Sequence, residues 1–213
     1  MKTEFLLFDF DGVLVDSMSF WAGLHKQTLL NANIPIPDDF VETITPLGNY
    51  YGAKYTLSFG VNIPLEQYLE EIYKKLFEAY TTHICLKENV KEALSFLKQE
   101  HISLNVLTAS PHLYVDPCLK RNGIYDLFDH VWTIDDFDLT KAQPEIYQKA
   151  AERLGTDVTR CTMFDDNFTA ISTAKKAGMK TVAVYDETSK ASEQSLKETA
   201  DRYIYRFKEL YEK

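Results

Sequence analysis

Residues 4–8 (EFLLF) form an apolar run that stops at the charge of Asp9. A run this short, without alternation, predicts a strand buried on both faces, as in a parallel sheet. Residues 102–107 (ISLNVL), 161–164 (CTMF) and 181–184 (TVAV) repeat the pattern. Helical patterns separate these later runs. Val90, Ala93, Leu94 and Leu97 follow a 3.6-residue period. Ser110-Pro111 predicts an N-cap followed by proline at the first helical position, with Gly123 at the stop. Pro144-Glu145 opens another helix, closed at Leu154-Gly155, and residues 170–178 (AISTAKKAG) predict a short one ended by glycine. Residues 203–205 and 207–211 predict a last short strand and a helical turn. Strands alternating with helices imply an α/β chain with a Rossmann-like parallel sheet core.

Residues 17–84 break the alternation, with no strand pattern. Met18, Trp21, His25, Leu29 and Ala32 make one helical stripe. Leu65, Leu69, Ile72, Leu76 and Ala79 make a second, begun by Pro64. Shorter helices are expected near 38–44 and 50–59. The expected organisation is therefore a core at 1–15 and 86–213 with an inserted α-helical cap at 16–85.

Composition narrows the function classes. The 213 residues are 45% hydrophobic and 26% charged, which excludes wholesale disorder. Lys and Arg number 23 against 32 Asp and Glu, a formal net charge of −9. Such a chain is a poor partner for nucleic acid or an anionic membrane. No apolar run approaches about 18 residues, so no membrane span is expected. The opening Met1-Lys2-Thr3-Glu4 does not read as a signal peptide. Three cysteines (Cys85, Cys118 and Cys161) with no CxxC pair fit reduced thiols and a cytoplasmic location. A monomer is expected.

In open α/β sheets ligands bind beyond the carboxyl ends of the strands. The first strand is followed by Asp9-Phe10-Asp11-Gly12-Val13, whose spacing lets Asp9 and Asp11 share one space while Gly12 permits a sharp departure of the chain. The second is followed by Thr108-Ala109-Ser110-Pro111, a hydroxyl and free amides beside a helix start, which suits an anion. The third is followed by Asp165-Asp166-Asn167, and Lys141 lies in the loop before Pro144. Carboxylates gathered this closely repel one another unless a cation sits among them. An all-oxygen ligand set suits Mg²⁺. The constellation predicts a magnesium-dependent phosphate site for a small phosphorylated metabolite.

Residues 9–17 (DFDGVLVDS) resemble motif I of the haloacid dehalogenase-like superfamily. Thr108 resembles motif II and Lys141, with Pro144-Glu145-Ile146-Tyr147 after it, motif III. Phe164-Asp165-Asp166-Asn167, with Ala174 and Ala177-Gly178-Met179 after it, resembles motif IV. The insert after motif I is similar to the helical cap of the phosphoglucomutase/phosphatase-like branch.

The resemblance implies that Asp9 is a nucleophile forming an aspartyl-phosphate and that Asp11 is the general acid, then base. Thr108 and the Ala109 N–H would hold phosphoryl oxygens, and backbone N–H groups around Asp11 and Gly12 would complete the cradle. Lys141 would neutralise charge on Asp9 and the phosphoryl group. Asp9, the Asp11 backbone carbonyl and Asp166 would bind Mg²⁺, with Asp165 bound directly or through water.

Two departures from the pattern stand out. Motif III reads Lys141-Ala142-Gln143-Pro144, without its usual first proline, which is expected to loosen the loop carrying Lys141. Motif IV carries Asp165 where glutamate is common. Phe20-Trp21 stands where mutase relatives place a histidine, and the insert has no arginine, which argues against a mutase. The presence of Asp11 argues against dehalogenation. A sugar-phosphate mutase or phosphotransferase, and a non-catalytic binding protein on the same fold, are the alternatives.

Other conspicuous residues have ordinary explanations. His25, on an apolar stripe, is expected to be packed, and His112 to lie on a helix surface. The run Asp135-Asp136-Phe137-Asp138 is expected to be a solvated loop. Tyr50, Tyr51, Tyr55 and Phe59 are expected to be mostly cap core.

Overall fold

In the computed structural model, which describes residues 4–212, the apolar run after Glu4 is strand β1 (Phe5–Phe8), buried from Leu6 onward. It lies at the centre of a parallel sheet between β2 (Ser103–Thr108) and β4 (Cys161–Asp165). Strands β3 (His130–Thr133), β5 (Lys180–Val184) and β6 (Arg202–Ile204) complete the order β3-β2-β1-β4-β5-β6. Phe8 is fully buried, stacked on Phe164 at 4.5 Å between ring centroids. The strand order reverses between β1 and β4, the switch point at which such sheets bind ligands.

Strand β3 has no counterpart in the hydrophobic pattern. His130 is exposed and Val131 and Trp132 are half-buried, because β3 is an edge strand paired on one side. The acidic run after it is partly ordered, not simply solvated. Ile134–Asp136 is a short 3₁₀ turn capped by Thr133, Asp136 accepts the Thr133 N–H at 2.7 Å, and Phe137 is buried.

The stretch between β1 and β2 is helical, as its periodicity predicts. It contains α1 (Met18–Asn31), α2 (Phe40–Ile44), α3 (Gly48–Leu57) and α4 (Leu65–Thr82), followed by α5 (Val90–Gln99). The fold is thus a Rossmann-like parallel sheet core with an inserted helical cap. In α1, Trp21, His25 and Leu29 are buried, whereas Ala32 falls beyond the helix end. His25 is packed as expected, with Nδ1 2.9 Å from Thr56 Oγ1 and 2.8 Å from Tyr68 Oη. Burial holds its pKa down near 4, so the ring is neutral. The buried stripe of α4 is Tyr68, Ile72, Leu76, Ala79 and Tyr80, with Leu65 and Leu69 half-buried at its flank. Phe40, Tyr55 and Phe59 pack together, but Tyr50 and Tyr51 are exposed and belong to no core.

Two chain segments join the insert to the sheet. Asp16 N–H donates to Cys85 O and Lys87 N–H to Leu14 O, both at 3.0 Å, around the Val15–Leu86 bridge. At its far end α4 stacks Tyr80 on Tyr114 of α6 (His112–Arg121), 5.1 Å between centroids. Helix α6 is capped at Pro111 rather than Ser110, and the Ser110 hydroxyl turns elsewhere. Helices α7 (Pro144–Arg153), α8 (Phe168–Ala177) and α9 (Glu193–Thr199) complete the core. Among the described residues, no helix is long and apolar enough to cross a membrane.

Candidate active site

Parallel register brings distant carboxylates together. Phe8 lies opposite Phe164, and Asp9 N–H donates to Phe164 O at 2.9 Å, so Asp9 emerges beside Asp165 and Asp166. One oxygen from each of these buried residues lies within 4.8 Å of the others. Asp9 Oδ1 is buried and accepts no aligned hydrogen bond; its near neighbour is Lys141 Nζ at 2.9 Å. Lys141 Nζ also lies 2.7 Å from Asp165 Oδ2, and Asp165 Oδ1 accepts the Asn167 N–H at 2.9 Å. Asp166 Oδ2 accepts the Ser189 hydroxyl at 2.8 Å.

These positions set the protonation preferences. Burial raises the Asp166 carboxyl well above its ordinary range, helped by the negative charges of Asp165, Asp9 and Asp186. Asp165 is raised by burial and by Asp9, with Lys141 pulling the other way. Burial opposes the charge on Lys141, but Asp165 and Asp9 outweigh it and hold the ammonium above the usual lysine range. Three buried carboxylates facing one lysine leave negative charge that a divalent cation would neutralise.

The side chain of Asp11 stands apart from this trio. Its Oδ1 accepts Ser17 Oγ–H at 2.5 Å and Tyr80 Oη–H at 2.6 Å, and its Oδ2 accepts the Ser110 hydroxyl. Burial raises its pKa, against the pull of those three donors. Gly12, at φ +70°, packs directly on Asp166; a Cβ built there would lie 2.7 Å from Asp166 Oδ2. The Gly12 N–H donates to Val15 O at 3.1 Å, so it is spent within the turn and is not open to a phosphate.

Thr108 is buried at the end of β2, its Oγ1 accepting the Ser110 N–H at 3.1 Å, with Ala109 on the cleft wall. Two side chains hold the Lys141 loop where the first proline of motif III is missing. Tyr147 Oη–H donates to Lys141 O at 2.9 Å, and Gln143 closes a turn on Thr140 N–H at 2.8 Å. His112 is on the helix surface, 2.9 Å from Asp116 and 3.0 Å from Asp136.

Hydrophobic periodicity does not reveal several supporting residues. Lys87 Nζ donates to Gly12 O at 2.7 Å and Tyr185 O at 2.6 Å and pairs with buried Asp186 at 3.0 Å, pinning the motif I turn to the end of β5. Tyr80, Ser110 and Ser189 also come from segments remote from the residues they hold. Only Ser17 lay inside a motif.

Above the carboxylates opens a cleft of about 340 Å³, lined by Asp9, Asp11, Lys141 and Asp166 from the core and by Met18, Thr45 and Pro46 from the inserted helices. An adjoining lobe of about 370 Å³ shares the Thr45-Pro46 wall and reaches Glu42 and Ser192.

Residues 6–184 match the family described as haloacid dehalogenase-like hydrolase. The pyrophosphatase PpaX of Bacillus velezensis is 30% identical over 182 residues, covering 84% of this chain and 82% of that protein. The phosphorylated carbohydrates phosphatase of Thermotoga maritima is 26% identical, covering 84% and 83%. A solved haloacid dehalogenase-like protein from Agrobacterium tumefaciens superposes with a TM-score of 0.81 at 23% identity, covering 98% and 96%. The chain belongs to the haloacid dehalogenase-like hydrolase family.

Proposed function

We propose that the chain hydrolyses a small phosphate monoester through an aspartyl-phosphate on Asp9, with Mg²⁺ as its cofactor. The observation that carries this reading is Asp9 Oδ1, a buried oxygen without an aligned hydrogen bond, facing Lys141 and two further carboxylates. The donor set fits a hard divalent cation, being all oxygen and overcharged without one. Asp9, Asp166 and the Asp11 backbone carbonyl would hold the ion. Asp165, its oxygens taken by Lys141 and the Asn167 N–H, would face it through water. When bound, the ion would neutralise the carboxylates and polarise a phosphoryl oxygen.

The Asp9 carboxylate attacks phosphorus in line, and the bond from phosphorus to the leaving oxygen breaks. Asp11 gives that oxygen a proton, then takes one from the water that cleaves the acyl phosphate. Lys141 stabilises charge on Asp9 and on the phosphoryl group, while Thr108 Oγ1 and the Ala109 N–H hold phosphoryl oxygens. The unit at 16–85 closes on the core at 1–15 and 86–213 about the paired segments at Val15 and Leu86, excluding water. Trp21, placed in the cap interior with its Nε1–H 2.6 Å from Asn49 Oδ1, is unsuited to the mutase alternative. The cysteines are free, and two of the three are buried, in keeping with a cytoplasmic setting.

The relatives' names point to different leaving groups, a carbohydrate in one and phosphate in another. Turnover of p-nitrophenyl phosphate is expected with Mg²⁺, to be lost on adding EDTA and in Asp9→Asn. Equal activity of Asp9→Asn and wild type overturns the reading.

A further inference from the structure

From the charge around the cleft we infer that the leaving group is neutral and hydroxyl-bearing, a polyol or sugar, and carries no second anionic group, with Glu42 as the discriminating residue. This rests on the phosphatase reading above and adds the class of substrate.

Among the described residues lining the two lobes, Lys141 is the one cation, and both its partners are carboxylates at the floor. It is committed to the transferring phosphoryl group, so a carboxylate or second phosphate further out meets no fixed positive charge. The neighbouring lysines supply no fixed one: Lys190 is exposed on its turn, 3.3 Å from Glu187, and Lys87 is held on Gly12 O, Tyr185 O and Asp186. Residues 17–84 hold four lysines and no arginine against seven carboxylates, so the field from the cap repels an anion.

The polar groups at the rim suit a hydroxyl instead. Asn167 Oδ1 accepts the Ala170 N–H at 3.2 Å as the helix cap, which leaves its amide N–H groups to donate. Thr45 Oγ1–H donates to Val41 O at 2.7 Å, which leaves its lone pairs to accept. Glu42, exposed on α2, accepts only. A hydroxyl both donates and accepts and can satisfy donors and acceptors together. A carboxylate or phosphate accepts only, and would face Glu42 as a like charge.

The test compares kcat/KM in Mg²⁺ for glycerol 3-phosphate and a hexitol phosphate with that for phosphoglycolate and pyrophosphate, in wild type and Glu42→Lys. Turnover of p-nitrophenyl phosphate separately reports the phosphatase reading. The inference expects wild type to favour the polyol esters at least tenfold, and Glu42→Lys to narrow that ratio at least tenfold. If wild type hydrolyses p-nitrophenyl phosphate but takes phosphoglycolate or pyrophosphate as well as the polyol esters, the inference falls and the phosphatase reading stands. If the ratio is unchanged in Glu42→Lys, Glu42 is not the discriminator and that part falls. If p-nitrophenyl phosphate and all four substrates are inert, both fall together.

Discussion

The Tyr80 hydroxyl, carried near the end of helix α4, donates to Asp11 Oδ1 over 2.6 Å, so the inserted helices and the turn after β1 meet on one carboxylate. Ser17 and Ser110 complete a ring of three hydroxyl donors around that group. In the proposed mechanism the acid is then aimed by the cap as well as by the core, which would couple cap position to proton delivery.

Tyr80→Phe removes one donor and keeps the ring that packs on Tyr114 and Phe10. A hydrogen bond to a neutral acid contributes about 0.5–1.5 kcal/mol net. A loss in kcat of roughly twofold to tenfold is expected for alkyl phosphates, whose leaving oxygen needs a proton. The loss should be smaller for p-nitrophenyl phosphate, whose phenolate leaves without one. An equal loss on both, measured in steady state, would assign Tyr80 to packing alone.

Gly12→Ala places a Cβ 2.7 Å from Asp166 Oδ2 at φ +70°. The backbone strain alone is about 1–2 kcal/mol, and Asp166 must also move. Weakened Mg²⁺ binding by titration calorimetry is expected, with a lower melting temperature.

Lys87 ties Gly12 O, Tyr185 O and buried Asp186 together, although it touches no candidate metal ligand side chain. Lys87→Met leaves Asp186 buried without its partner. Breaking a buried pair from one side costs roughly 3–5 kcal/mol, so a loss of that order is expected in chemical denaturation. A loss below about 1 kcal/mol, the worth of an exposed pair, would contradict the pinning role.

Burial lifts the Asp165 carboxyl to about 6 in the metal-free protein, against an ordinary value of 3.8. The folded state then holds the proton more tightly than the unfolded chain. This group's contribution to stability is full below about pH 3.8 and is lost as pH rises through about 6. A bound divalent cation reverses the balance by favouring the ionised form. Asp166 beside it is raised further, so the rise in melting temperature on adding Mg²⁺ should grow as pH rises from about 5. A gain independent of pH would separate the ion from these carboxylates.

Much of this was legible in the sequence because strand ends in a parallel sheet are neighbours whatever the loops between them do. Asp9, Asp165 and Asp166 were readable from position, each following an apolar run, whereas Lys141, a loop lysine before a helix, was readable only beside the other motifs. Strand β3 was not, because an edge strand with one covered side needs no apolar run, as His130 and Trp132 illustrate. The side-chain supports of the site were hidden for a different reason. Tyr80, Lys87, Ser110 and Ser189 act through contacts between segments tens of residues apart, which periodicity does not encode. The hydrogen bond that holds the Lys141 carbonyl comes from Tyr147, a residue that its place on a helix stripe marks as core. Gly12 shows the converse, a residue readable as a phosphate cradle whose N–H is spent on Val15.

The central claim is that Asp9 takes the phosphoryl group. Mass spectrometry of an acid-quenched single turnover of p-nitrophenyl phosphate, whose leaving group needs no proton, run in Asp11→Asn to slow the second step, tests it most directly. Phosphate bound covalently to the peptide containing Asp9, and absent when Asp9→Asn is added, is the result expected. Free phosphate appearing at single-turnover rate with no phosphoryl group ever found on Asp9 would contradict it.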